Sequence, residues 1–295
     1  MKPKFSIVTI TYNRAHLIGK TIQSVINQSY IDFEQIIIDD GSTDNTEEVV
    51  LSFKDKRIKY YKYAKNDTRS YLRNEGIRKA KGKYISILDS DDIWRVDKLE
   101  LLNNVFNNNK EAVFIIHNVS IVENDIQIKK GYAEFKTSFY ENILPYLFSD
   151  KILFLPIYTF KKSLMEQLGF FDENMIDAQH DFYLRVAVKF KVYFLAKNLT
   201  YMTKHTQNIS NNFRLSAFTN YIISLSKLKR GGYISIFTFY RVKSFIYIKL
   251  GLSYKKMKND KEAKKYFLKS FLAYPISYLG LKSIYYLSIN PKNNN

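Results

Sequence analysis

Residues 84–92 read Tyr-Ile-Ser-Ile-Leu-Asp-Ser-Asp-Asp, an apolar run of strand character that stops at three carboxylates, Asp89, Asp91 and Asp92. Crowding like charges at a strand end costs free energy. A divalent cation offsets that cost through hard oxygen ligands, which suits Mg2+ or Mn2+. A solvated turn rich in Asp and Ser is the plainer alternative. Two earlier apolar runs end in polar clusters of the same kind, Thr11-Tyr12-Asn13-Arg14 and Asp39-Asp40-Gly41-Ser42. Tyr12 offers a flat surface on which a base can stack, with Thr11 and Asn13 at the same strand end. Asp40 can accept a hydrogen bond from a pyrimidine imide, although an aspartate capping the turn at Gly41 is an equally ordinary role, above all for Asp39. Arg73, four residues after Arg69, places a guanidinium where it can fork onto phosphate or a base.

The elements that must position these groups alternate in type. Strand patterns cover Phe5–Ile10, Gln35–Asp39, Ile58–Tyr63, Tyr84–Leu88 and Ala112–His117, and helical patterns cover Leu17–Asn27, Asn45–Phe53, Ser70–Lys79 and Lys98–Asn108. Such alternation predicts an α/β fold, a mainly parallel, Rossmann-like sheet flanked by helices. The polar clusters then fall at the C-terminal ends of strands, the edge where open α/β sheets bind ligands. Beyond residue 118 the pattern is less regular, with a strand at Phe154–Phe160, a turn at Gly169–Glu173 and a helix at Asp181–Phe190.

The chain has 295 residues, a net charge of +18 and no cysteine. Disulfides, thiolate nucleophiles and zinc-thiolate sites are thereby excluded. No stretch approaches the roughly 18 apolar residues of a membrane span, and a cytoplasmic address is expected. The charge is unevenly placed: residues 214–295 hold 16 basic and 2 acidic residues, or +14, against +4 for the preceding 213. A basic helical module over 214–295 with an anionic partner follows. Within it Tyr247, Leu250, Gly251, Tyr254, Ala263, Phe267 and Pro275 fall at the positions of one tetratricopeptide-like hairpin, turning at Lys258–Lys261. Tyr233, Phe237, Phe239, Phe245 and Tyr247 suit either a helix core or an interfacial face.

Four blocks taken together resemble the inverting family-two glycosyltransferases of the GT-A fold that build bacterial cell-surface glycans. They are Ser6–Arg14, Ile38–Asp44, Arg73–Gly76 and Leu88–Asp92, and the resemblance covers residues 4–212. It implies a GT-A domain over 1–213, with a nucleotide-binding half at 1–118 and an acceptor half at 119–213. It also implies a nucleotide-sugar donor, UDP-linked by preference, held by Thr11, Tyr12, Asn13, Asp39, Asp40, Arg73, Asp89 and Asp91. Asp91 and Asp92 would hold the metal. His205 resembles the family's late histidine, which closes over the diphosphate and metal. For the general base the family uses a Glu-Asp pair before an aromatic-Leu-Arg helix, and an ungapped match puts Ala178 and Gln179 there instead. Asp181 is the first choice for that role, Asp177 the second, and His180 has a suitable intrinsic pKa.

The expected function is metal-dependent inverting transfer of a sugar to a hydroxyl of a glycan or lipid-linked acceptor. The basic module would rest peripherally against the inner, anionic face of the cell membrane. A nucleic-acid-binding protein would explain the charge but leaves the acidic cluster idle, so no nucleic acid is expected. A catalytically degenerate nucleotide-sugar-binding protein is the third reading, prompted by the altered Glu-Asp segment.

Overall fold

The computed structural model describes residues 2–123, 126–130, 135–147, 157–204, 210–275 and 277–288. The chain packs as two compact units, 1–207 and 208–295.

In the first unit β1 (Phe5–Thr11), α1 (Ile18–Ile26), β2 (Phe33–Asp39), α2 (Thr46–Ser52), β3 (Ile58–Lys62), α3 (Arg69–Lys79) and β4 (Tyr84–Ile87) alternate as expected. Then follow β5 (Ile93–Trp94), α4 (Lys98–Asn108), β6 (Phe114–Glu123), β7 (Ile126–Lys130), β8 (Phe139–Glu141), α5 (Leu144–Leu147), β9 (Tyr158–Lys161), α6 (Leu164–Leu168), α7 (Gln179–Lys189) and β10 (Val192–Thr203). The sheet order is β3-β2-β1-β4-β9-β6-β10-β5, with β7 on β6 and β8 on β10. The β3-β2-β1-β4 half is parallel. Strand β9 runs antiparallel to both β4 and β6, and β10 is parallel to β6.

The parallel half reads as near-continuous apolar sequence because helices cover both of its faces. Ile7, Val8, Ile36, Ile37 and Ile38 are all fully buried. One cluster joins Phe5, Ile7, Tyr84 and Leu88 to Leu99, Leu102 and Phe106 of α4, while Ile18, Ile22, Ile37 and Val50 bind α1 and α2 to the sheet. Helix α3 lies directly on β1 because Gly76 has no side chain there. A Cβ would come within 2.3 Å of Val8 Cγ1. That contact fixes the position of Arg73, one turn upstream on the same helix. Farther along, Phe114, Tyr158, Phe160, Phe182 and Tyr183 stack into an aromatic core between β6, β9 and α7.

The sequence reading does not find β10. Ala196-Lys197-Asn198 breaks its apolar pattern, and the register with β6 shifts on both sides of Asn198, so a twelve-residue strand reads as two fragments. Of the expected strand at Phe154–Phe160, Tyr158 onward is formed, and residues 154–156 lie outside those described.

Among the described residues the second unit holds four helices, α8 (Ser210–Arg230), α9 (Ile236–Lys256), α10 (Asp260–Ala273) and α11 (Tyr278–Ser288). A boundary at residue 213 falls inside α8. Asn259 caps α10 by accepting from the Glu262 amide, with Asp260 and Glu262 at the positive end of the helix dipole. The α9–α10 hairpin carries the tetratricopeptide-like positions, with Leu250, Gly251, Ala263 and Phe267 buried and the turn at Met257–Asn259. Buried Ser244, Ser270 and Ser283 hydrogen-bond to one another across α9, α10 and α11. Phe239 joins the core, whereas Tyr233 and Phe237 are exposed. Among the described residues no helix is long and apolar enough to cross a membrane.

Candidate active site

Parallel register sets the site. Thr11 lies opposite Asp39, and Val8 opposite Ile87, so β1, β2 and β4 end along one sheet edge. At this edge the chain turns out of β2 through Asp40 and Gly41. Gly41 adopts a left-handed φ of 77°, and a Cβ there would meet the Lys65 amide nitrogen at 2.9 Å. Fully buried Asp39 accepts from the Ser42 amide (2.8 Å), from the Ser42 hydroxyl (2.7 Å) and from the Tyr60 hydroxyl. Asn13, itself at φ 50°, receives the Thr43 amide on Oδ1 at 2.8 Å and gives its own amide to Ser42 Oγ. Asp39 and Asn13 therefore shape the loop. The Tyr12 ring stays 40% exposed, while the nearly buried Asp40 carboxylate accepts from Lys65 Nζ at 2.5 Å and from the Asn66 and Asp67 amides at 2.7 and 3.3 Å. Thr11 Oγ1 is buried and meets no hydrogen-bond partner among the described residues.

The second cluster follows β4. One oxygen from each of Asp89, Asp91 and Asp92 can be chosen so that all three lie within 4.8 Å of one another. Helix α1 holds this turn: Thr21 Oγ1 donates to the Ser90 carbonyl at 3.0 Å, and the Trp94 amide donates to Ser24 Oγ at 3.1 Å. The Thr203 amide of β10 reaches Asp92 Oδ1 at 3.3 Å, and Arg14 Nη2 stands 4.0 Å from Asp91 Oδ2. Burial, then Asp91 and Asp89, push the Asp92 carboxyl well above its ordinary range. Burial and Asp91 likewise raise Asp89 against the pull of Arg73. Three carboxylates so placed offer an all-oxygen donor set that fits Mg2+ or Mn2+. Behind them buried Lys98 donates to Thr200 Oγ1 at 3.0 Å and lies 3.8 Å above the Trp94 ring.

The third cluster joins α3 to the start of α7. Arg73 is fully buried and donates from Nη1 to Asp177 Oδ1 at 2.8 Å, while Arg69 approaches Asp177 Oδ2 at 3.9 Å. Its Nε and Nη2 meet no acceptor among the described residues, and neither does the buried Tyr158 hydroxyl. Donors aimed this way match an anionic ligand. Burial works to raise the Asp177 carboxyl, but Arg73 and Arg69 outweigh it and hold the group below its ordinary range. Burial pushes the neighbouring His180 imidazole down to about 4. Ser70 fastens this segment by accepting the Ala178 amide at 2.9 Å. Asn74, next along α3, instead staples the turn before α7 through the Phe171 backbone.

Asp181 is differently engaged. Its Oδ2 takes Arg185 Nε at 2.7 Å, and the other guanidinium nitrogens of Arg185 bind the carbonyls of Leu168, Gly169 and Phe170. That is a helix-to-turn brace. Sequence order ranks Asp181 above Asp177, whereas the geometry ranks Asp177 above Asp181. His205 lies outside the described residues. Two site residues escape the sequence reading. Tyr158 sits in an aromatic strand where it reads as core, and Lys65 sits in a polar loop without periodicity.

The mixed, mostly parallel sheet and its flanking helices have the architecture of the GT-A fold. The family model for glycosyl transferase family 2 matches residues 6–169, more than half of the chain, and the chain belongs to that family. An uncharacterised glycosyltransferase of Rickettsia bellii is 35% identical over 173 residues, 58% of this chain and 24% of that protein, so this chain spans about a quarter of its length. The Escherichia coli UDP-Glc:alpha-D-GlcNAc-diphosphoundecaprenol beta-1,3-glucosyltransferase WfgD is 38% identical over 136 residues, 45% of this chain and 53% of WfgD. The crystal structure of S. aureus TarS 1-349 in complex with UDP-GlcNAc superposes with a TM-score of 0.64 at 17% identity, covering 93% of each chain. At that identity the likeness is one of fold.

Proposed function

We propose that the chain carries out metal-dependent, inverting transfer of a sugar from a UDP-sugar to a hydroxyl of a glycan or lipid-linked acceptor in cell-surface polysaccharide synthesis. The observation that carries this reading is the acidic triad at the end of β4 beside a buried arginine with unspent donors. TarS, with UDP-GlcNAc, and WfgD, which by name acts on a diphosphoundecaprenol-linked sugar, support the donor and acceptor classes.

Residues 1–118 would bind the nucleotide and 119–213 the acceptor. Tyr12 stacks the base and Asp40 accepts its imide N–H. Arg73 gives Nε and Nη2 to diphosphate oxygens. Asp91 and Asp92, with Asp89 beside them, would hold Mn2+ or Mg2+, which supplies Lewis-acid stabilisation of the departing diphosphate. Inversion needs the acceptor oxygen to bond to the anomeric carbon as the bond to the diphosphate oxygen breaks, with a carboxylate taking the hydroxyl proton. Asp177 is our choice for that base, since Arg73 keeps it ionised within the electrostatic reach of Asp89. The +14 carried by 214–295 supports peripheral attachment at the inner face of the membrane, each well-placed cation contributing about 1 kcal/mol.

The two base candidates separate by mutation. Asp177→Asn should lower the turnover of UDP-sugar to UDP by about 10²- to 10⁴-fold while UDP still binds. Asp181→Asn should lower the melting temperature and leave kcat within a few-fold. The reverse pattern would restore Asp181 to the role, and retained turnover in both variants would remove both.

A further inference from the structure

Lys65 stands where a nucleobase would be expected. Its Nζ lies 4.1 Å from the Tyr12 ring centre, over the ring face, and donates to Asp40 Oδ2 at 2.5 Å. One nitrogen thus touches both groups assigned above to base recognition, so the Tyr12 face and the Asp40 carboxylate share a single seat. An aromatic ring stacked on that face would place its centre about 4.5 Å or more from the tyrosine centre. The ammonium already fills that layer. Asp67, with a left-handed φ of 61°, receives the same ammonium from the far side.

The backbone around Lys65 is held by hydrogen bonds of its own, independent of the lysine side chain. Tyr63 donates its amide to the Asp39 carbonyl at 2.9 Å, the Asn66 amide donates to Asp40 Oδ1 at 2.7 Å, and the segment lies against Gly41. Lys65 itself is about a third exposed, on a flexible stem that can swing into water. Asp40 is almost fully buried, and without Lys65 its Oδ2 would keep only the Asp67 amide, at 3.3 Å, so losing the close ammonium donor is costly.

We propose that Lys65 is an internal occupant of the nucleobase seat. Its ammonium gives Asp40 the hydrogen bond that a base imide would give, and it leaves the Tyr12 face when a nucleotide binds. Binding is then an exchange of one donor for another. The exchange weakens nucleotide affinity and, at the end of the cycle, speeds release of the nucleoside diphosphate, because Asp40 Oδ2 keeps a close donor throughout. The inference rests on the nucleotide site proposed above and adds to it a residue that sets affinity.

The test uses the full chain with Mn2+ and titrates uridine, which lacks phosphates and isolates the seat, alongside UDP. Lys65→Met should bind uridine about three- to tenfold more tightly than the native chain, reflecting the loss of the contacts that hold the ammonium in the seat, the cation–π contact with Tyr12 and the ion pair with Asp40. Lys65→Arg, which can still reach Asp40 and Tyr12, should stay within about twofold of native. Asp67→Asn, which loosens the lysine without touching the seat, should shift uridine binding in the same direction as Lys65→Met. Weaker or unchanged uridine binding by a folded Lys65→Met protein overturns the proposal while leaving the nucleotide site in place. Failure of both native and variant chains to bind UDP, GDP or TDP would instead remove the nucleotide site itself, and the inference with it.

Discussion

Asp91→Asn and Asp92→Asn are each expected to cut turnover of a UDP-sugar by about a thousandfold or more without unfolding the protein. The two halves of that result have one cause. Three carboxylates share a turn with oxygens inside 4.8 Å, and the most buried of them, Asp92, is 5% exposed. In the absence of a cation they repel one another and are poorly hydrated, so an amide in place of one carboxylate relieves repulsion. The melting temperature should hold or rise. With the cation present, the same amide removes a hard anionic ligand and with it the electrostatic stabilisation of the leaving diphosphate, for which a loss of several kcal/mol is typical. Thermal melts and a UDP-release assay on the same samples read both halves. Turnover within threefold of native in a well-folded Asp92→Asn protein would contradict the assignment of the triad.

Arg73→Met should be the most damaging single change to stability, costing about 3–5 kcal/mol. Arg73 is fully buried, so its partner Asp177 would be left charged and poorly solvated among Asp89 and the aromatic core. For a unit of this size that corresponds to a fall in melting temperature of about 6–20 °C. The pH dependence has a definite sign. The carboxyl of Asp177 is held below its ordinary value of 3.8, so the ion pair contributes stability above that value and loses it as pH falls through the depressed pKa. The gap between native and Arg73→Met proteins should therefore be widest near neutrality and narrow below about pH 4. Urea melts at a series of pH values measure it, and a gap independent of pH would mean that the Asp177 pair is not its source.

The parallel half of the sheet was legible because burial on both faces writes unbroken apolar runs, and the polar residues that end those runs are the ligand edge itself. Asp89, Asp91 and Asp92 are visible in the sequence as the stop of an apolar strand, a pattern that a solvated turn also produces, and the fold adds that their oxygens converge. Asp181 shows the limit of reading order along the chain. The sequence places Asp181 ahead of Asp177, and only the fold reveals that Arg185, one turn later, takes Asp181 as a brace while Arg73, more than a hundred residues away, reaches Asp177. Lys65 was invisible for a related reason, since its role depends on two strand ends meeting across the sheet edge. In the C-terminal unit the hairpin positions were legible from spacing, whereas the helix start at Ser210 was hidden because the charge shift begins later than the fold does.

Calorimetric titration of UDP into the full chain, with Mn2+ and again with the metal chelated, tests the central claim most directly. Binding that requires the metal and is stronger for UDP than for GDP or TDP is the expected result. A folded protein that binds UDP equally well with and without metal would contradict the role given to the Asp89, Asp91 and Asp92 cluster, and one that binds none of the three nucleotides would contradict the donor site as a whole.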